Sequence, residues 1–97
     1  MAQNSPYRVA LGPRAQRELH KLRRQFRVLR AILDRLQTLA DEPRPPDAKK
    51  LQVSRDLWRV VVQRDYRVIY EIQDAKLLVL VVKIGDRKDV YKGLEDL

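Results

Sequence analysis

Hydrophobic positions along this 97-residue chain follow two different periods. Ala15, Leu19, Leu22, Phe26, Leu29, Ile32, Leu33, Leu36, Leu39 and Ala40 recur at spacings of three and four, which is the helical period. No glycine or proline interrupts residues 14–42, so the local pattern alone allows one helix of roughly 40 Å at 1.5 Å per residue. A compact chain of this size has a radius of gyration of only about 13 Å. Compactness therefore predicts a break into two antiparallel helices near Lys21 to Gln25. Ahead of them YRVAL, from Tyr7 to Leu11, alternates as a short strand, ended by Gly12 and by Pro13, which suits the first turn of a helix. DEPRPPD, from Asp41 to Asp47, cannot continue a helix and reads as a stiff connector.

From Leu57 the period shortens to two. LWRVVVQ, YRVIYEI and KLLVLVVKIG read as three strands joined by tight connections at Arg64-Asp65 and Asp74-Ala75, and short loops imply antiparallel neighbours. The pattern predicts an α+β fold in one domain spanning residues 1–97. An N-terminal strand and an antiparallel helical pair precede a three-strand antiparallel meander, and the strands make a four-stranded sheet. The tail GLEDL is expected to pack on that sheet or to fray. Because strand side chains alternate, Trp58, Val60, Val62, Tyr66, Val68, Tyr70 and Ile72 share one face. The other face collects Arg59, Arg67 and, just beyond the third strand, Arg87 with Tyr91. Lys49 and Lys50 lie ahead of the sheet, within reach of this second face.

Composition narrows the function classes. Hydrophobic residues make up 44% and charged residues 35%, as in a soluble globular protein, and no apolar run approaches the roughly 20 residues of a membrane span. The start lacks the pattern of a signal peptide, so a cytoplasmic protein is expected. With no cysteine and one histidine, disulfides and thiolate metal sites are excluded, and a histidine metal site or a Ser/His triad is disfavoured; no cofactor is expected. The net charge is +8, and residues 1–30 hold eight Lys/Arg against the single Glu18. That field, with a pI near 10.2, points to a polyanionic partner. Arg14, Arg17, Lys21 and Arg24 fall on one side of the first helix, either as a solvated face or as a flank that contacts phosphates without reading sequence.

Arginine stays protonated at physiological pH and presents a planar fork of donors that fits phosphate oxygens. Arg59, Arg67 and Arg87 around one point would make a phosphodiester clamp. RNA cleavage then needs a base for the 2′-hydroxyl proton, charge stabilisation of the in-line transition state, and a proton for the departing 5′-oxygen. No metal is obligatory, since the 2′-hydroxyl is the nucleophile. The base is Tyr91 or a lysine whose pKa neighbouring cations lower. The ordinary alternative is that the arginines form cross-strand pairs, because Glu71 shares the predicted face of Arg67 and Asp65, Asp86 and Asp89 lie nearby in sequence.

DYRVIYEI, followed about ten residues on by an apolar strand ending in G-x-R-x-x-V-Y, together with KKL and LWRV, resembles the RelE family of the RelE/ParE bacterial toxin superfamily across nearly the whole chain. The resemblance implies a microbial-ribonuclease-like fold and metal-independent cleavage of mRNA in the ribosomal A site, with translation inhibited as the result. It further implies neutralisation by a cognate antitoxin in a hetero-oligomer, with the ribosome and mRNA as the other partners and no membrane. On this reading Arg59 matches the first basic position of the family's strand motif, and Arg67 and Arg87 hold the scissile phosphate. Tyr91 matches the catalytic tyrosine and Lys50 the lysine of the KL turn. Two departures weaken the expected turnover: Val61 replaces a second basic strand residue, for which Arg59, Lys83 or Lys50 would have to substitute, and Asp86 sits beside Arg87, available to pair with it. The alternatives carried forward are a ParE-like inhibitor of DNA gyrase and a feebly active family member that chiefly binds its antitoxin.

Overall fold

A computed structural model describes residues 5–94. In chain order the elements are β1 (Arg8–Leu11), α1 (Pro13–Lys21), α2 (Phe26–Asp41), β2 (Lys49–Lys50), β3 (Leu57–Val62), β4 (Tyr66–Gln73) and β5 (Leu78–Asp86), with a short 3₁₀ turn at Asp74–Lys76. The sheet order is β1-β5-β4-β3-β2. The meander β3-β4-β5 is antiparallel as the sequence predicts, and β1 joins it parallel to β5. One strand was not anticipated: Lys49 and Lys50 pair with Arg59 and Trp58, so the sheet has five strands. Two residues are too short for a period to register in sequence.

The helical stretch breaks at residues 22–25. An unbroken helix of roughly 40 Å would exceed the longest dimension of the fold, 34 Å. Pro13 opens α1 behind Gly12, whose carbonyl accepts the first intrahelical bond from Gln16 at 2.9 Å. Buried Leu22 closes α1 with a tightened bond from its N–H to the Leu19 carbonyl, 3.0 Å. The break changes the phase of the apolar stripe. Ala15, Leu22, Ile32, Leu36, Leu39 and Ala40 are buried, whereas Phe26, at the start of α2, is 75% exposed.

The helices cover the face carrying Val60, Val62, Val68, Tyr70, Val79, Val81 and Ile84. A fully buried side chain of this kind contributes about 1.5–3 kcal/mol. Tyr70 is buried to its hydroxyl, which donates to the Pro43 carbonyl at 2.7 Å; burial pushes its pKa up to about 12. At one end of the molecule the Arg44 guanidinium grips both carboxylate oxygens of Asp74, at 3.2 and 2.9 Å, and lies 5.7 Å from the centre of the Trp58 ring. Tyr7 also donates to Asp74, at 2.6 Å. The proline-rich connector, β1 and the β4–β5 turn are thereby tied together.

The second face of the sheet is not open throughout. Leu57, Ile69 and Val82 form a smaller core there, covered by Val90 and Leu94 from the segment after β5. Of the tail, which was expected to pack or to fray, Leu94 packs and Gly93 is exposed; Glu95 to Leu97 lie outside the described residues.

Candidate nucleic-acid interface

β4 sits between β3 and β5, so each residue on its second face has a neighbour on either side. Arg67 lies between Val61 and Gly85, and Ile69 between Arg59 and Lys83. Arg59 is thus diagonal to Arg67 on that face, a spacing of about 7–8 Å in such sheets. Lys49 extends the row beside Arg59. Lys50 is in register with Trp58, which places it on the helix-packed face, and its ammonium pairs with Asp56 at 2.8 Å. This corrects the expectation that Lys50 reaches the second face.

Arg67 and Arg87 each reach the β3–β4 turn. Arg67 donates from Nη1 to the Arg64 carbonyl at 2.7 Å and the Tyr66 carbonyl at 3.2 Å. The backbone N–H of Arg87 donates to the Asp65 carbonyl at 2.8 Å. Its guanidinium Nε is 4.0 Å from the Asp65 carboxylate, with both side chains more than half exposed, 57% and 60%. Solvent screens such a pair to little net strength, so Arg87 remains free to exchange Asp65 for a phosphate. The turn has an unusual backbone: Gln63 and Arg64 both adopt positive φ, 47° and 64°. A shallow cavity of about 370 Å³ opens here, lined by Asp65, Tyr66, Asp86, Arg87 and Lys88.

Asp86 does a different job from the one feared for it. Its carboxylate accepts the N–H groups of Lys88 and Asp89, both at 2.9 Å, and so caps the turn that follows β5. Glu71 likewise bonds Arg55 and Gln73, at 3.3 and 2.9 Å. The cross-strand pairing with Arg67 offered as an alternative is therefore not the one this face adopts.

Tyr91 follows a residue anchored on this face. Val90 is buried against Gly85, where an added Cβ would lie 3.5 Å from the Val90 Cβ, and Gly85 is the cross-strand partner of Arg67. The Tyr91 side chain is 38% exposed. The fold thus collects Arg67, Arg87 and the Tyr91 segment around the β3–β4 turn, with Arg59 and Lys49 one row away and Val61 between the two groups.

The remaining basic residues divide. Arg17 and Lys21 are exposed on α1, and Arg24 is exposed in the turn after it. Arg14 instead bends toward its own helix, with Nε 3.6 Å from Glu18, and lies beside Gly93. Lys83 is overturned as a surface contact: it is 2% exposed, with Nζ donating to the Lys92 carbonyl. Burial, then the Arg14 charge, lowers its pKa, against Glu18 and Asp89, which raise it. Lys83 therefore cannot substitute for the cation missing at Val61, and the alternation of its strand carries no sign that the chain folds back over it. Arg23 and Arg27, exposed on either side of Phe26, add a basic corner between the helices that the stripe of Arg14, Arg17, Lys21 and Arg24 did not include. Among the described residues no group of three or more His, Asp or Glu side chains is placed to hold a metal ion, and no helix is long and apolar enough to cross a membrane.

Residues 9–91 match the family described as the ParE toxin of the type II toxin-antitoxin system. The chain is 30% identical to Toxin RelG of Mycobacterium tuberculosis over 89 residues, 90% of this chain and 98% of that one. Among solved structures it resembles the RelBE2 toxin-antitoxin complex of M. tuberculosis, with a TM-score of 0.71 and 28% identity over 84% of this chain and 99% of that one. It also resembles the isolated E. coli RelE toxin, with a TM-score of 0.70 and 27% identity over 88% and 90% of the two chains.

Proposed function

This chain belongs to the RelE/ParE superfamily of type II toxin-antitoxin toxins, and we propose that it acts as a ribosome-dependent, metal-independent mRNA endoribonuclease. The observation that supports this most is that Arg67 and Arg87 each reach the β3–β4 turn, beside the segment that carries Tyr91. One guanidinium fixed at the turn and a second free beside it suit the non-bridging oxygens of one phosphodiester. They stabilise the charge that develops as the 2′-oxygen attacks. Tyr91 accepts the 2′-hydroxyl proton or stacks on a base, and Arg59 with Lys49 tracks the neighbouring phosphates. Arg17, Lys21 and Arg24 contribute sequence-independent contacts to the ribosome.

Expression of the protein is expected to arrest translation. Primer extension on messages from translating ribosomes should then reveal new 5′ ends. Arg87→Ala and Tyr91→Phe should each suppress those ends, and undiminished cleavage by both variants would reject the assignment.

A cognate antitoxin is the second partner. The RelBE2 neighbour is itself a toxin-antitoxin complex, and this fold leaves β1 at the edge of its sheet beside a groove of about 610 Å³ lined by Tyr7, Val9, Leu11, Leu33, Leu36 and Ala40, among others. An acidic, amphipathic segment suits both that groove and the net charge of +8. A second reading, inhibition of DNA gyrase, draws on the ParE family match and on Val61, which interrupts the cations of the second face. Loss of plasmid supercoiling with intact mRNA would select it.

A further inference from the structure

Lys83 is the one buried charged side chain among the described residues, at 2% exposure. It stands beside Ile69 in the register of β4 and β5, on the face that holds the smaller core. Burying an ammonium group is costly unless it is bonded, and the acceptor here is the backbone carbonyl of Lys92. The charged groups whose fields reach it are Arg14, which opposes its charge, and Glu18 and Asp89, which favour it. At this depth it cannot touch a nucleic acid.

What it does touch is the residue after Tyr91. On the other side of Tyr91, Val90 is sealed against Gly85 at 1% exposure. The backbone N–H of Lys92 also donates to the Asp89 carbonyl at 3.1 Å. The residues on either side of Tyr91 are therefore tied down while Tyr91 itself is 38% exposed, leaving the phenol little freedom beyond its own side-chain torsions.

We propose that Lys83 is a positioning residue for Tyr91: its buried bond to the Lys92 carbonyl fixes the turn after β5, so that the phenol is held in place before substrate arrives. The assignment rests on the reading of Tyr91 as a functional group of the site. Ordering a reacting group in advance removes an entropic cost from the reaction itself. An apolar residue at position 83 would fill the core equally well but would strip the Lys92 carbonyl of its donor.

The test uses protein labelled with 3-fluorotyrosine, the Tyr91 resonance being assigned by its loss in Tyr91→Phe. In Lys83→Met we expect that resonance to collapse toward the shift of free fluorotyrosine, and amide exchange at Tyr91 to Gly93 to accelerate at least tenfold, with unfolding still cooperative. Lys83→Arg, which restores a charged donor, should recover part of the wild-type signal. Should Lys83→Met fail to fold, Lys83→Gln, whose donor falls short of the carbonyl, takes its place in the comparison. A folded Lys83→Met or Lys83→Gln protein with the wild-type Tyr91 resonance and exchange rates would overturn the proposal. In the cleavage assay kcat should fall with KM nearly constant. If the resonance moves and cleavage does not, Tyr91 loses its catalytic assignment while the positioning by Lys83 stands, so the two failures are separable.

Discussion

The proposed phosphate clamp would divide its tasks between Arg67 and Arg87. Arg67 is half-buried and spends donors on the Arg64 and Tyr66 carbonyls, which fixes its guanidinium, while Arg87 is exposed and held loosely by Asp65. Arg67→Ala should therefore reduce kcat for mRNA cleavage by about 10²–10³, the usual effect of deleting one preorganised charge-stabilising donor. Asp65→Asn should instead leave kcat nearly intact and lower KM, because it frees Arg87; both are read from single-turnover and steady-state cleavage. Val61→Lys is expected to raise activity by closing the gap between Arg59 and Arg67, and an inert V61K protein would count against the phosphate track. Away from the site, the grip of Arg44 and then Tyr7 holds the Asp74 carboxyl at about 2. Its stabilising contribution is complete above the ordinary carboxylate value near 4 and is lost as pH falls toward 2. Thermal melts should consequently drop more steeply between pH 4 and 2 in the wild type than in Asp74→Asn.

At the scale of elements, most of what the chain becomes is legible in its periods. The three-strand meander, the helical pair and the burial of Val60, Val68 and Tyr70 follow from alternation and from spacings of three and four, because those patterns are direct records of which side faces a core. Less visible were the features set by where two distant segments touch. β2 exists because residues 49–50 happen to lie along β3, Lys50 turns to the helix side by its register with Trp58, and Lys83 is buried because Val90 and Leu94 fold back across the sheet. Alternation placed Arg59 and Arg67 on one face, as the register bears out, but the partners of Asp86 were not legible, since capping of a turn depends on the turn forming. The β3–β4 connection gives a further test. Arg64 sits at φ 64°, a conformation that costs a residue with a Cβ roughly 1–2 kcal/mol. Arg64→Gly relieves that cost and offsets it by about 0.5–1 kcal/mol of unfolded-state entropy. The net gain of up to roughly 1 kcal/mol should raise Tm by as much as about 4–8 °C in calorimetry.

For the whole molecule, the positive field is concentrated in the first third of the chain, where eight basic residues face one acid before position 31. Binding to single-stranded RNA should weaken linearly in log Kd against log salt, by about 0.7 per phosphate neutralised. A triple variant of Arg17, Lys21 and Arg24 to alanine should lower that slope by about 2 without abolishing cleavage chemistry; an unaltered slope would place the polyanion elsewhere. The sheet order has its own consequence. β5, the last strand in sequence among the described residues, is the inner strand that joins β4 to β1 from the other end of the chain, and the sheet cannot close without it. A growing chain that stops short of residue 78 holds helices and a hairpin but no completed platform. The platform closes only once β5 has been made, and a restraint that reads the closed sheet can engage it only after that point.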